Sequence, residues 1–533
     1  MKTTTLLLMV LPLALGAQSW SWVTPVDGSG GERCAALQVL ENGGLAVGGA
    51  FTGSLEVQGW EAQNMGGDDL YVIYLNAARE LEWALSAGSS QDDETSALAE
   101  LPNGDIAFAG AFWFSLQIAD TLLSSGSNPR GLFVSRFSPE GQLRWARSIP
   151  GEGLKNITGL AARPDGSIAI AGYFEQNLGL APFFLESGRD DGSTHAFVAT
   201  LSADGSALWA RQAGHSNDTR ANALALLPDN GLAIGGFFND TTRFEDIQFT
   251  ANTYDPDAFI ASYAEDGSFR WARKAGGVVD DEVRGLASGP DGSVYATGSM
   301  IGVMRVSDDI VLETTSGNPN IFLLKYDDNG DPLFGRTLGN AGIQQGLDID
   351  IQEGLVAISG SYTGELEIDG RMITSGGRPH GFAAGFTPDG EGRWLVPIPA
   401  NVALVASCLD IGPGQEVAVG GSYGQTATFD AAQLSCTGST GVFAGQLNPA
   451  LTPAVEPARP ELEVDIYPNP GSGHFYLLPG GLPYSVQIFD GLGQRLGQWE
   501  DTDELYLTSL PAGAYFIMVS LENMDRVLQV MIK

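Results

Sequence analysis

The feature that most constrains this chain is a repeat of roughly sixty residues. An aromatic residue recurs at Trp22, Trp83, Trp145, Trp209, Trp271, Phe334 and Trp394, at intervals of 61, 62, 64, 62, 63 and 60. A glycine near the end of an apolar run keeps the same step at Gly49, Gly110, Gly172, Gly236, Gly298, Gly360 and Gly421. Two residues after it stands Phe51, Phe112, Phe174, Phe238, Met300, Tyr362 or Tyr423. A third series runs Tyr71, Phe133, Phe197, Phe259, Phe322, Phe382 and Phe443. Three series in one register mean seven copies of one supersecondary unit. Such a unit buries its apolar face only by stacking on its neighbours.

Each unit reads as β structure. Apolar runs such as SIAIAGYF (167–174), GLAIGGFF (231–238) and SVYATGSM (293–300) follow turn pairs such as Asp165-Gly166 and Asp291-Gly292. A second hairpin carries Gly141, Gly205, Gly267, Gly330 or Gly390, each four residues before the anchor aromatic; the first unit, with Ala77-Ala78, lacks this glycine. Four strands repeated seven times predict an all-β fold, a seven-bladed β-propeller. The surplus between the second and third strands, for example residues 177–193, is room for a short extra hairpin. First strands are rich in small residues, as in GLAA (159–162), ALAL (223–226) and GLAS (285–288), which suits crowding near an axis. The seventh unit stops after Gly441–Leu447 without its Trp strand, while SWSWVTPV (19–26) has Trp22 in anchor register and no third strand before it. The N-terminal strand is therefore expected to complete the seventh blade, since closure removes two open sheet edges.

The ends differ in kind. MKTTTLLLMVLPLALGAQ has a positive Lys2, an apolar core Leu6–Leu15 and small residues at Gly16-Ala17, which predicts a signal peptide over 1–17. The apolar run is short for a membrane span. Residues 448–461 carry four prolines and read as a linker between a domain at 18–447 and one at 462–533. The last segment alternates short β runs with turns, as a small Ig-like β-sandwich does.

Two resemblances add to this. HAFVATLSADGSALWAR (195–211) with GLAIGGFF, and DAFIASYAEDGSFRWAR (257–273) with SVYATGSM, resemble bacterial Trp/Gly-rich propeller repeats of the SBBP-like type. That resemblance covers about 20–447 and implies a fold without a single activity. YPNP (467–470), IFDGLGQRL and LPAGAYFIMV (510–519) resemble the type A sorting domain of the type IX secretion system. The sorting-type positions are Pro468, Asn469, Pro470, Asp490, Gly493, Gly513 and Tyr515; turns and β packing also account for each. The resemblance implies a partner, the type IX machinery, and a destination outside the cell, attached to the outer membrane surface or released.

Acidic residues number 64 against 27 basic ones, a net charge of −37. A chain so charged repels nucleic acid and anionic membranes. The three cysteines, Cys34, Cys408 and Cys436, form neither a disulfide framework nor a zinc motif and read as small buried hydrophobes. Of the four histidines, His195 and His380 stand at the start of third-strand equivalents, His215 in a loop between strands and His474 in the last segment; all four read as polar loop residues, with no catalytic order around them. The acidic runs Asp92-Asp93-Glu94 and Asp280-Asp281-Glu282, with Asn217-Asp218 in step, offer oxygen ligands of the type Ca²⁺ takes but lack calcium-loop spacing, so a solvated acidic face is the simpler reading. DDNGD (327–331) sits where a hairpin turn belongs. No cofactor is expected.

One asymmetry stands out. LDIDI (347–351) puts Asp348 and Asp350 in a first strand, and Asp410 follows in step in the next unit. If first strands line a channel, the three carboxyls meet there, either as a ligand-binding cluster or as solvated acids. Regular unit lengths and the absence of a catalytic constellation point to a non-enzymatic binding, adhesion or structural module for a glycan or protein ligand. The alternative is a secreted polysaccharide hydrolase or lyase built on a carboxylate pair.

Overall fold

Every unit folds as two antiparallel hairpins joined side by side. In the computed structural model, residues 19–448 are described apart from 189–190, 216–217, 252–254, 315–316, 340–341 and 431, together with 465–467, 474–478, 485–489, 495–500, 504–521 and 524–532. The fourth unit is representative. Its strands Asp218–Leu226, Leu232–Asn239, Asp257–Tyr263 and Phe269–Ala275 pair in chain order. The two central strands are almost wholly buried, whereas the first and last alternate buried with half-exposed residues. The central strands therefore read as continuous apolar runs, covered on both faces by neighbouring sheets.

Seven such four-stranded sheets stand among the described residues, and the architecture is all-β and propeller-like. First strands pack on one another in sequence order, and that of the seventh sheet, Leu404–Ile411, packs on that of the first, Glu32–Val39. The seventh sheet takes its fourth strand from the chain start. Ser19–Val26 pairs antiparallel with Gly441–Asn448, Trp22 opposite Gln446 and Val26 opposite Val442. The long inserts fold as short hairpins, six of them two-stranded, such as Thr241–Phe244 with Ile247–Thr250, while Asn177–Leu180 and Phe183–Glu186 add Gly151–Glu152 as a third strand.

The anchor aromatics lie on the fourth strands and reach into the next sheet. Indole Nε1 donates to a turn carbonyl there: Trp83 to Pro139, Trp145 to Ala203, Trp209 to Glu265 and Trp271 to Asp328, each at 2.9 Å. The ring lies flat on that turn's glycine. A Cβ on Gly141, Gly205, Gly267, Gly330 or Gly390 would come within 2.5–2.9 Å of the aromatic ring of the preceding sheet. These glycines also hold φ between +77 and +84°. One residue thus meets two demands that a side chain cannot, a left-handed turn and a ring against its Cα. The Trp-Gly phrase is a packing joint between sheets.

The chain divides within the Pro-rich segment, at Leu451–Thr452. Beyond it lie two antiparallel sheets, one of Asp465–Tyr467, His474–Leu478 and Glu504–Tyr506, the other of Ser485–Phe489, Arg495–Glu500, Gly513–Leu521 and Met524–Ile532. Residues 1–17 and most of 448–461 lie outside the described residues.

Candidate functional site

A bulge shapes the inner face. Each first strand carries one extra residue against its second strand: Ala35, Ser96, Thr158, Asn222, Arg284 and Leu347 in six sheets, and in the seventh Ala406-Ser407 opposite the single Gly421. A bulged residue leaves the ladder and re-aims its side chain. Here four of them cross to the next sheet. Ser96 Oγ donates to Ile157 O at 2.6 Å, Thr158 Oγ1 to Ala221 O at 2.8 Å, Asn222 Nδ2 to Val283 O at 3.0 Å and Ser407 Oγ to Cys34 O at 2.7 Å. All seven first strands border one cavity of about 320 Å³.

Ala35, Arg284 and Leu347 interrupt this ladder of donors. After Leu347, carboxylates take over with the opposite polarity. Asp348 Oδ2 accepts from Leu409 N at 2.8 Å and Asp350 Oδ2 from Ile411 N at 2.9 Å, so the sixth sheet holds the seventh by backbone donors. Asp410 Oδ2 accepts from Val39 N at 2.6 Å and Gln38 Nε2 at 2.9 Å, holding the seventh sheet to the first. The three acids named from the sequence thus share the cavity wall. Desolvation raises Asp348 to about 7. Desolvation also raises Asp350, and it carries Asp410, with the Asp350 charge added, well above the usual carboxylate range.

A second set of acids lies deeper. Glu32 and Asp281 open their first strands, Asp93 immediately precedes its own, and all three are fully buried, as are Asp69 and Asp257 at the heads of third strands. Desolvation, the largest cause in each case, raises Glu32 and Asp281 to about 8 and Asp69 and Asp93 to about 6. Asp93 receives Trp113 N at 2.8 Å and Ser89 N at 2.5 Å. The acidic runs are therefore not the solvated faces their composition suggests: one member of each is a buried acceptor for loop backbone. Asn217 lies outside the described residues. Among the described residues, no three His, Cys, Asp or Glu side chains converge as metal ligands.

His195 begins a third strand, as its register predicts, but it is buried at 1% exposure and packs on Phe174 rather than standing as a polar loop residue. His380 begins the equivalent strand of the sixth sheet, and His474 begins a strand of the C-terminal part. DDNGD is a turn, closed by Asp327 N to Asp331 O at 2.9 Å. In the C-terminal part, Gly513 and Tyr515 lie on one strand, and Tyr515 Oη donates to Pro511 O at 2.8 Å. Pro468, Asn469, Pro470, Asp490 and Gly493 lie outside the described residues.

Residues 465–533 match the family model of the secretion system C-terminal sorting domain, so the chain carries a secretion tail. Over 146 residues it is 25% identical to an uncharacterised WD repeat-containing protein of Acanthamoeba polyphaga mimivirus, a match covering 25% of this chain and 10% of that protein. Over 189 residues it is 26% identical to the regulatory protein FlaEY of Caulobacter vibrioides, covering 33% of this chain and 19% of the relative. The matches thus span at most about a fifth of those relatives' lengths. Solved structures similar to the chain include the WD40 β-propeller domain of Doa1 (TM-score 0.42, 11% identity, 81% of this chain and 97% of that one). Another is puromycin hydrolase (TM-score 0.39, 13% identity, 88% and 60%).

Proposed function

We propose that this chain is a seven-bladed β-propeller closed by its own N-terminal strand, exported by the type IX route to the cell surface or the medium, where it works as a non-enzymatic binding or adhesion module. The observation that carries the export reading is the sorting-domain match over 465–533. The ring reading draws its support from the packing of the seventh first strand on the first, and from the pairing of residues 19–26 with 441–448. The ligand reading draws on the inner cavity, a polar hollow bordered by all seven units with an acidic sector at Asp348, Asp350 and Asp410. Such a hollow suits a hydroxyl-rich or cationic group, as a glycan or a protein side chain presents. Fusing residues 448–533 to a signal-bearing reporter tests the export. The reporter is expected outside the cell, and its retention in the periplasm counts against the route. Binding of the mature chain to a glycan array tests the module, with Asp348→Asn as the control expected to weaken any cavity ligand.

One observation favours a second reading, a secreted polysaccharide hydrolase or lyase. Asp350 and Asp410 share the cavity wall, burial raises both, and a carboxyl kept protonated is what a general acid needs. Backbone amides nevertheless already occupy both side chains. Release of reducing ends from polysaccharide by the purified chain, abolished by Asp410→Asn, would move the balance to the enzyme.

A further inference from the structure

Two of the three cysteines meet. Cys34 lies on the first strand of the first sheet and Cys408 on that of the seventh, 374 residues apart in sequence, yet their sulfurs are 3.2 Å from each other. Both are buried, at 5% and 2% exposure. The pair occupies a space that exists because residue 420 is glycine: a Cβ there would lie 2.9 Å from Cys34 Sγ and 3.5 Å from Cys408 Sγ. Flanking bonds fix the strands. Ser407 Oγ donates to Cys34 O at 2.7 Å, and Cys34 N donates to Ser422 Oγ at 3.2 Å. Bringing the sulfurs to bonding distance, about 2 Å, requires a side-chain movement of roughly 1 Å with the backbone in place.

We propose that Cys34 and Cys408 form a disulfide that clasps the first sheet to the seventh. The step is thiol–disulfide exchange with an external disulfide, a protein dithiol oxidant or oxidised glutathione. One cysteine, as thiolate, attacks that disulfide and forms a mixed disulfide, releasing one thiol. The second cysteine displaces the other, so two protein thiols become one disulfide and the donor leaves as two thiols. The folded seam is a poor place for this to begin. The contact with Cys34 and then burial push the Cys408 thiol well above its ordinary value, and a thiol held protonated is a weak nucleophile. The bond therefore closes during folding, before the two sheets meet tightly, and the closed seam then shields it from reductant.

The location gives the clasp a purpose. The seventh sheet is assembled from strands more than 400 residues apart in sequence: Ser19–Val26 joins Gly441–Asn448 by main-chain pairing and by Ser21 Oγ and Trp22 Nε1 donating to Gln446. A covalent link across the adjoining seam spans nearly the whole ring, the type of long loop for which a cross-link restricts the unfolded chain most. The cellular oxidant rests on the export reading, because exported proteins meet an oxidising compartment; the proximity of the thiols does not.

The test is a peptide map of the full chain refolded in a glutathione redox buffer, alkylated under denaturing conditions without reduction. Expected is a Cys34–Cys408 cross-linked peptide pair, lighter by two hydrogens than the two free peptides, with Cys436 alkylated. The oxidised chain should melt several degrees above the reduced one, and Cys408→Ala should erase that difference. Alkylation of both Cys34 and Cys408 after oxidative refolding, or a pairing of either with Cys436, overturns the proposal. If Cys408→Ala fails to fold, the wild-type map decides alone. Failure to find the protein outside cells would sink the export reading and leave the refolding result standing.

Discussion

The regular seams and the closing seam solve the same packing problem with different chemistry. At the seam between the fourth and fifth sheets, Trp271 lies on Gly330, its indole donates to Asp328 O, and Asn222 ties the inner strands through Val283 O. At the closing seam the glycine is missing. Arg79 holds that turn with φ +67°, and its guanidinium lies 4.5 Å over the Trp22 ring. It also donates to Gly43 O at 2.7 Å and to Gln446 Oε1 at 2.6 Å. The inner strands there carry Ser407, Asp410 and the facing cysteines. On the other side of the seventh sheet, Trp394 has no hairpin turn to receive it, because the third and fourth strands of that sheet, Gly441–Asn448 and Ser19–Val26, are not consecutive in the chain. Its buried Nε1 has no hydrogen-bond partner among the described residues. Where chain continuity supplies the joint, one repeated phrase suffices. Where the seventh sheet meets the first, without that continuity, side chains peculiar to that place take over.

The comparison can be broken most severely at the N-terminal strand. Deleting residues 19–26 leaves Gly441–Asn448 an open edge. Loss of soluble monomer on size exclusion is expected, and an intact, equally stable monomer would mean that closure matters little. Next comes Trp271→Ala, which should cost about 3–5 kcal/mol in urea unfolding because the ring is 6% exposed; Trp22→Ala, at a half-exposed ring, should cost less.

The sixth sheet's acids predict a pH effect. Asp348, raised to about 7 in the fold, adds stability that is complete below the ordinary aspartate pKa and is lost as pH rises through 7. Glu32 and Asp281, at about 8, extend the loss to higher pH, while Lys155, lowered to about 8 by burial, acts in the opposite direction. A fall in Tm between pH 5 and 9 is expected. Asp348→Asn should flatten it by roughly 2 kcal/mol once channel water is allowed for, and an unchanged slope would remove Asp348 from the account. Gly267→Ala, with φ +80° and the Trp209 ring 2.6 Å from the new Cβ, should cost about 1–3 kcal/mol. Arg79→Gly, which gives the closing seam the common residue, relieves the backbone but loses the cation–π contact. A change of about 1 kcal/mol or less is expected, and a large loss would make Arg79 the main tie there.

The repeat was legible because packing recurs. Every Trp, Gly and Phe position that a joint needs appears seven times or nearly so, and its function in the fold follows from its register. The Asp348, Asp350 and Asp410 cluster was also legible, since a charge on an apolar inner strand departs from the pattern. Its use was not. The same residues read equally well as solvated acids until the structure set their oxygens against backbone amides of the neighbouring strand. Ser96, Thr158 and Asn222 were present in register but silent, because a bulge is a property of pairing and one strand's sequence does not record its partner's register.

The sequence by itself determined the number of units, their strand order, the position of the turns and the secretion address, because each depends on local spacing or on a contiguous motif. Only the tertiary structure decided which residues 374 apart come to face each other. It also decided which acids of a run are buried, and which seam substitutes Arg79 for glycine across from Trp22. Those outcomes depend on how the first and seventh sheets meet, and local sequence carries no term for a contact between residues hundreds of positions apart.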